Sequence, residues 1–344
     1  MVLKILITGA QGQLGRTLQQ LSPPHWTVTA LGSGQLDITD ARAVRERVGA
    51  LRPDLIVNAA AYNAVDRAEQ EQEQERERAF AVNAQGPLNL ARAANEAGAR
   101  LVHVSTDYVF DGRSDRPYGE QATPNPLNAY GESKLQGEQW VLREQPHALV
   151  VRTAWVYSAV GQNFVAAMLG AAGQGRPVRV VDDQTGAPTF AGDLAEAIIG
   201  LAGLSDAEEG VRPEGGIYHY SGATALSRYD FAHAIFAAAD RIRAGALAAA
   251  DRRHAADLDA VEHSRRGNLR QREQEAPTGL ETADCKPGGY LKLLSPIASS
   301  DYPSAAVRPK YSVLDCSKMA ALGFEPRSLE ESLSGVVRAL MSKR

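Results

Sequence analysis

Through roughly the first 150 residues, short runs of consecutive apolar residues alternate with longer stretches whose apolar positions recur every three or four residues. The runs predict strands at Leu3–Thr8, Thr27–Leu31, Leu55–Asn58, Leu101–Val104 and Ala148–Arg152. The helical spacing predicts helices at Gln13–Leu21, along DITDARAVRERVGAL from Asp37, at Phe80–Ala97 and at Ala129–Arg143. These strands are apolar throughout rather than on alternate positions, so both their faces are buried. Repeated strand–helix units of this kind predict an α/β fold, a doubly wound parallel sheet with helices on both faces. Ligands of such sheets bind beyond the carboxyl ends of the strands, and the residues after each run therefore carry the interest.

Beyond residue 150 the pattern is less regular. Strands at Val178–Val181 and Ile217–Tyr220 and helices at Asp193–Leu201, Arg228–Ala239 and Leu329–Leu340 predict a smaller C-terminal lobe. Residues 242–289 break the pattern, passing from an alanine-rich stretch to mixed charges with Gln, Gly and Pro. They read as an insertion, part helical and part mobile. His254, His263 and Cys285 lie inside it without the spacing of zinc ligands. The charged run RAEQEQEQERERAF (67–80) reads as a solvated helix or loop.

Composition narrows the partners. The chain has 344 residues, 44% hydrophobic and 23% charged, an ordinary globular balance with room for two linked lobes. A formal net charge of -4 argues against nucleic acid as a partner. Two cysteines, Cys285 and Cys316, give no disulfide framework. The N-terminus runs straight into a strand without a signal-peptide pattern, and no apolar run approaches the roughly 20 residues that span a bilayer. A cytoplasmic protein without membrane contact is expected.

Four strand ends carry candidate chemistry. ITGAQGQLG places Gly9, Gly12 and Gly15 between the first strand and first helix, with Gln11, Gln13 and Leu14 between them. Glycines there allow a tight turn and backbone approach to a pyrophosphate held by the helix N-terminus, which makes the sheet Rossmann-type. The second strand ends in Gly32, Ser33 and Gly34, without the carboxylate that would grip an adenosine ribose. Asp37 and Ile38 are placed to bound an adenine pocket, and Arg16 to meet a 2′-phosphate. NADPH is thus the expected cofactor, with NADH tolerated. After the third strand, Ala59, Ala60 and Ala61 let the backbone lie close to a ribose or nicotinamide. After the fourth, Ser105, Thr106 and Asp107 bring hydroxyls to the same edge, either for a substrate carbonyl or as caps. In LNAYGESKLQGE, Tyr130 and Lys134 are one helical turn apart. A tyrosine of ordinary pKa near 10 is a sluggish acid, and a neighbouring ammonium pulls it towards the range of efficient proton transfer. Most such pairs only solvate a helix face; the company of the three other strand ends makes this one a proton donor and its tuner.

These motifs together resemble the extended short-chain dehydrogenase/reductase superfamily. Within it, TGAQGQLG, VNAAAYNAVDRAE, STDYVFDG, YGESKLQGE, VRTAWVYS, DDQTGAPTF and RPKYSVLD resemble the dTDP-4-dehydrorhamnose reductase family over nearly the whole chain except the insertion. The resemblance implies NADPH-dependent reduction of the 4-keto group of a dTDP-linked 6-deoxy sugar, with Thr106, Tyr130 and Lys134 as catalytic trio. It implies that Val65 and Trp155 line the sugar pocket, that Asp107 and Asn163 contribute to the substrate cleft, and that Arg308 lies near the nucleotide. It also implies an NAD(P)-binding domain over residues 1–150, to which 188–216 return, and a substrate lobe from 151–187 and 217–344. Some members dimerise around Mg²⁺ through a first-helix glutamate. Thr17 takes that position here, so no metal is carried over, and a homodimer stays open. Asn63 departs from a threonine common in the family. The rival readings are an epimerase or dehydratase, against which Tyr108 stands where a dehydratase has glutamate, and a non-catalytic regulatory subunit.

Overall fold

A computed structural model describes residues 3–69, 73–204, 213–267 and 289–343. The five apolar runs of the first half form β1 (Lys4–Thr8), β2 (Thr27–Leu31), β3 (Leu55–Asn58), β4 (Arg100–Thr106) and β5 (Leu149–Thr153). Between them run α1 (Gln13–Leu21), α2 (Ala41–Leu51), the short α3 (Val65–Ala68), α4 (Glu73–Phe80), α5 (Gly86–Ala97) and α6 (Ala129–Glu144). There follow β6 (Val156–Tyr157), α7 (Phe164–Gly173), β7 (Val178–Val181), β8 (Thr185–Gly186), β9 (Thr189–Phe190), α8 (Ala191–Leu204) and β10 (Gly216–His219). The chain closes with β11 (Leu226–Ser227), α9 (Arg228–Gly267), β12 (Leu294–Ile297), α10 (Ser317–Ala320) and α11 (Leu329–Met341).

Six parallel strands in the order β10-β5-β4-β3-β1-β2 make the central sheet. Leu14 and Leu18 of α1 and Leu194, Ile198 and Leu201 of α8 cover one face. Val44 and Val48 of α2, Leu90 and Ala94 of α5 and Val141 of α6 cover the other. Apolar side chains leave the sheet on both sides because both sides are roofed, as the unalternating runs require. The expectation that the second lobe resumes at residue 217 needs adjustment, because β10 is a full strand of this sheet and the chain stays with it through His219. A second core, built from Val165, Leu169, Phe231, Phe236 and Val336 with Val178 and Val180, holds α7, α9, α11 and β7 together.

Three elements differ from their sequence reading, each for a local reason. Helix α2 starts at Ala41 rather than Asp37, because the Asp40 carboxylate accepts from the backbone N–H groups of Arg42 and Ala43 and fixes the cap there. The helix expected from Phe80 to Ala97 contains one wide turn, Ala81–Gln85, between α4 and α5. Such turns cluster at functional sites, and this one presents Asn83, which clasps both backbone polar groups of Tyr62 and donates to Ser133 of α6. Helix α9 does not stop at Ala239 but reaches Gly267, 40 residues in all from Arg228, about 60 Å of helix at 1.5 Å per residue. Its alanine-rich continuation has neither Gly nor Pro from 246 to 266, so nothing in it breaks a helix. The expected insertion is thus helical in its first part, and residues 268–288, with Cys285, lie outside the described residues. Among the described residues no helix is long and apolar enough to cross a membrane.

One buried ion pair joins α6 to the sheet. Arg152 of β5 donates to both carboxylate oxygens of Glu138 at 2.9 and 2.7 Å, with both side chains at most 2% exposed. His219 of β10 completes the cluster. Burial and the Arg152 charge hold its pKa down to about 3, so it is neutral. Its Nδ1 lies 2.9 Å from the Tyr118 carbonyl, which can only accept, so Nδ1 carries the proton. Nε2 is then an acceptor facing Arg152 Nη1 at 3.4 Å. Removing one member of a buried pair strands the other charge. Glu138→Ala should therefore lower stability by about 3–5 kcal/mol, read as a fall in the urea midpoint. The double variant Glu138→Leu/Arg152→Met should recover most of that loss.

Candidate active site

The carboxyl ends of β1, β3, β4 and β5 open on one cleft of about 380 Å³. Gly9 turns the chain with φ of +71°, and a Cβ on it would lie 2.6 Å from the backbone of Ala59 and Ala60. The loop is therefore pressed against the end of β3, and only glycine fits there. Gly12 caps α1 without a side chain, leaving the first-turn N–H groups free of a side-chain acceptor at the cleft edge. That arrangement suits an anionic group. Below it, Thr8, Asn58 and His103 link β1, β3 and β4: Thr8 donates to Asn58 Oδ1 at 2.7 Å, and Asn58 Nδ2 lies 3.0 Å from His103 Nδ1.

Asn128 starts α6 by accepting from Gly131 N at 2.9 Å and donating to Val307 O at 2.7 Å. Tyr130 and Lys134 consequently face the cleft from the first turns of the helix. The Tyr130 ring stands edge-on to Tyr108, with centroids 5.7 Å apart. Its hydroxyl is 3.5 Å from Asn63 Oδ1 and within hydrogen-bonding reach of Thr106. Lys134 is 2% exposed and donates to the Val104 carbonyl at 2.6 Å. Sequence reasoning expects the ammonium to draw the phenol pKa down. In this structure burial dominates, and it holds the phenol above its ordinary value against the Thr106 hydrogen bond. Burial also brings Lys134 down to about 8. The tyrosine is thus kept protonated, the form a proton donor needs.

From the second lobe, Gln13 of α1 is held by Ser158 and Asn163, whose Oγ and Nδ2 donate to its Oε1 at 2.9 and 3.0 Å. Trp155 adopts a left-handed φ of +45°, a strained conformation for a bulky residue that is found at functional sites. The Arg228 guanidinium lies 3.6 Å over its ring, and the ring edge passes so close to Gly186 that a Cβ there would sit 2.5 Å away.

Among the described residues, five buried side-chain polar atoms lack a hydrogen-bond partner. Three of them, Ser105 Oγ, Asp107 Oδ2 and Thr153 Oγ1, belong to residues that line this cleft. Unsatisfied groups are costly and scarce in folded proteins, and their concentration here marks a surface prepared for a polar ligand.

The structure brings together Gly12, Gln13, Leu14, Ala59, Ala60, Ala61, Thr106, Asp107, Tyr130, Lys134, Trp155 and Asn163 around the cleft. Gly9 and Gly15 support the loop from behind, the latter packed on the Gly9 carbonyl. Arg16 is exposed and donates from Nε to Gln11 O at 3.0 Å, while the Gln11 side chain packs beside Gly32. Asp37 is exposed and accepts from Thr39, and Ile38 is buried under α5 against Gly86. Val65 and Arg308 stand outside the cleft lining. Arg308 grips Asp66, beside Val65, at 2.6 and 3.1 Å, and holds that carboxylate down to about 2. Sequence reasoning missed Arg228, Ser158 and Gln162. A lone arginine opening a distant helix gives no local signal, and the Ser158–Gln13 contact spans 145 positions.

Comparison with known proteins agrees with this fold. A dTDP-4-dehydrorhamnose reductase of Mycolicibacterium smegmatis is 39% identical over 99% of this chain and 87% of its own length. One from Aggregatibacter actinomycetemcomitans is 35% identical over 97% of this chain and 98% of its own. The crystal structure of dTDP-4-dehydrorhamnose reductase from Bacillus anthracis in complex with NADP superposes with a TM-score of 0.76 at 32% identity, covering 98% of this chain and 99% of that one. The family described as "RmlD substrate binding domain" matches residues 3–287. With the fold, the cleft and these relatives in agreement over nearly its whole length, the chain belongs to that family.

Proposed function

We propose that this protein reduces the 4-keto group of dTDP-4-dehydro-6-deoxy-L-mannose to give dTDP-L-rhamnose, with a dihydronicotinamide as reductant. The observation that carries the reading is the convergence of Tyr130, Thr106 and Lys134 on one cleft beside the glycine loop, in a chain whose full-length relatives bear that name. A dihydronicotinamide, when bound, would supply hydride to the carbonyl carbon. The chain supplies the rest. Tyr130, kept protonated by burial, gives its proton to the carbonyl oxygen as negative charge develops there. Thr106 holds that oxygen near the phenol. Lys134, anchored on the Val104 carbonyl, sets a buried positive charge beside the reacting groups and is within the family's pattern a ligand for the nicotinamide ribose.

Cofactor placement follows the loop. The free first-turn amides of α1 receive the pyrophosphate, and Ala59–Ala61 let the backbone pass close to the nicotinamide ribose. The second strand ends without a carboxylate, and the exposed Arg16 is held on the carbonyl of Gln11, whose side chain packs beside Gly32 at that strand end, so a 2′-phosphate would be accepted and NADPH preferred. Trp155 with Val65 lines the sugar pocket, Asn163 shapes the second lobe's face of the cleft, and Arg308 serves the nucleotide end. Tyr108, which stands where a dehydratase carries glutamate, is a ring neighbour of Tyr130 and no second base, which favours simple carbonyl reduction.

Tyr130→Phe should leave NADPH binding, read by fluorescence titration, nearly intact while lowering single-turnover reduction by about 10²-fold or more. Unchanged turnover would place the proton donor elsewhere. Arg16→Ala should reduce the ratio of kcat/KM for NADPH over NADH by roughly tenfold, through loss of one charge-assisted hydrogen bond. An unaltered ratio would remove Arg16 from the cofactor site.

A further inference from the structure

The Asp107 carboxyl group is 2% exposed, lines the cleft and has no part in the proton donation above. Its neighbour Thr106 is the oxygen next to Tyr130, and a hydroxyl has one proton to give. Thr106 Oγ1 accepts from Tyr108 N at 3.2 Å and donates to Asp107 Oδ1 at 3.0 Å. While Asp107 is ionised, that bond takes the only proton of Thr106. Towards Tyr130 and the reacting oxygen, Thr106 can then only accept. A protonated Asp107 reverses the sense: the carboxylic O–H donates to Thr106 Oγ1, and the threonine proton is released into the cleft.

We propose that Asp107 is a positioning residue that sets the donor–acceptor sense of Thr106, and that the enzyme reduces its keto substrate fastest when Asp107 is protonated and Thr106 donates to the carbonyl oxygen. The inference rests on the reductase reading and deepens it. Both states lie within reach of neutral pH. Burial outweighs the neighbouring Ser312 and Thr106 hydroxyls and the Arg228 charge, and raises the carboxyl to about 6. Oδ2 makes no hydrogen bond, although Ser312 and the Arg228 guanidinium flank the group. The other charged or titrating groups facing this pair change little between about pH 5 and about pH 7. Arg228, from the start of α9, stays cationic, Tyr130 stays a phenol, Lys134 titrates at about 8, and the buried His103 behind Lys134 is held neutral by burial.

The sign follows directly. As pH rises through about 6 the carboxyl loses its proton, Thr106 turns away from the cleft, and kcat falls. Asp107→Asn replaces the carboxyl with an amide whose N–H donates to Thr106 at every pH, so its profile should be flat at the acid-side level. The test follows NADPH oxidation with the keto sugar from about pH 5 to about pH 7, below the Lys134 titration, for the wild type, Asp107→Asn and Thr106→Val/Asp107→Asn. Carbon-13 NMR of the protein labelled at aspartate carboxyl carbons runs alongside. The wild type should lose about tenfold or more of kcat across that range, given what one directed donor contributes. Asp107→Asn should lose none, and Thr106→Val should cancel any effect of the second substitution. One carboxyl resonance should titrate near 6 and vanish in Asp107→Asn. The inference is overturned if Asp107→Asn keeps the wild-type limb, or if the Asp107 resonance titrates as an ordinary carboxylate. It is equally overturned if the variant raises only KM for the sugar, which would make Asp107 an ionised acceptor for a sugar hydroxyl. A wild type without turnover at any pH overturns the reductase reading itself; turnover with superimposable profiles overturns only this inference.

Discussion

The Arg152–Glu138 pair governs where the reacting groups stand. Tyr130, Lys134 and Glu138 are spaced four residues apart on α6, so they follow one another along a single face of the helix. The last of the three is bolted to β5 by a bidentate bond in the interior. Rotating α6 by even a fraction of a turn would break two charge-assisted hydrogen bonds where no water can replace them. A pair of leucines would fill the volume and cost nothing in desolvation, but it would not fix an angle. Bidentate geometry does, and a buried ion pair is better understood here as a device for orientation than as a source of stability. The neutral His219, forced into one tautomer by the Tyr118 carbonyl, gives Arg152 a third acceptor and leaves it no alternative partner.

Against that rigid side stands a cleft that is deliberately under-bonded. Ser105, Asp107 and Thr153 keep buried polar atoms without partners at the ends of adjacent strands, while a short distance below, Thr8, Asn58 and His103 are tied together. The cleft thus stands over a layer of mutual hydrogen bonds in which only His103 Nε2 lacks a partner, and is itself the under-bonded layer. Burial is what links the two layers energetically: it neutralises His103, depresses Lys134 and raises both Tyr130 and Asp107. All four shifts favour the uncharged form, as desolvation requires. A ligand that brings anionic phosphates and a polar sugar supplies the missing partners, and the unliganded protein carries the cost.

The strands, the glycine loop and the Tyr130–Lys134 pair were legible in the sequence because each is a local matter. An unbroken apolar run specifies a strand roofed on both faces, and a four-residue interval specifies one helix face. The features that escaped are those decided by distant neighbours. Whether Gly216–His219 joins the central sheet depends on β5 offering an open edge, which no pattern in those four residues reveals. Arg228 earns its place by stacking on Trp155, 73 positions earlier in the chain, and its sequence context shows only a helix start. The direction of the Tyr130 shift was misread for a related reason: Lys134 is adjacent on the helix, but its ammonium is drawn to the Val104 carbonyl, and burial, invisible in a sequence, decides the balance.

The second lobe reaches the cleft through few contacts, and their kinds differ at the two ends. At the glycine-loop end the contacts are neutral hydrogen bonds on Gln13, from Ser158 and Asn163. Neutral bonds of that sort are worth little net, so this end is held less firmly than an ion pair would hold it. At the other end Arg308 and Asp66 form a bidentate pair that ties the C-terminal segment to α3, and the carboxylate is depressed to about 2. That pair is partly exposed, which limits its strength through solvent screening, but its geometry still fixes where the segment crosses α3. Trp155 sits between these ends, held in a strained backbone conformation by Arg228 on one side and Gly186 on the other. The ring also packs on the second core, and so it is set in place by the C-terminal lobe as that lobe's aromatic wall of the cleft.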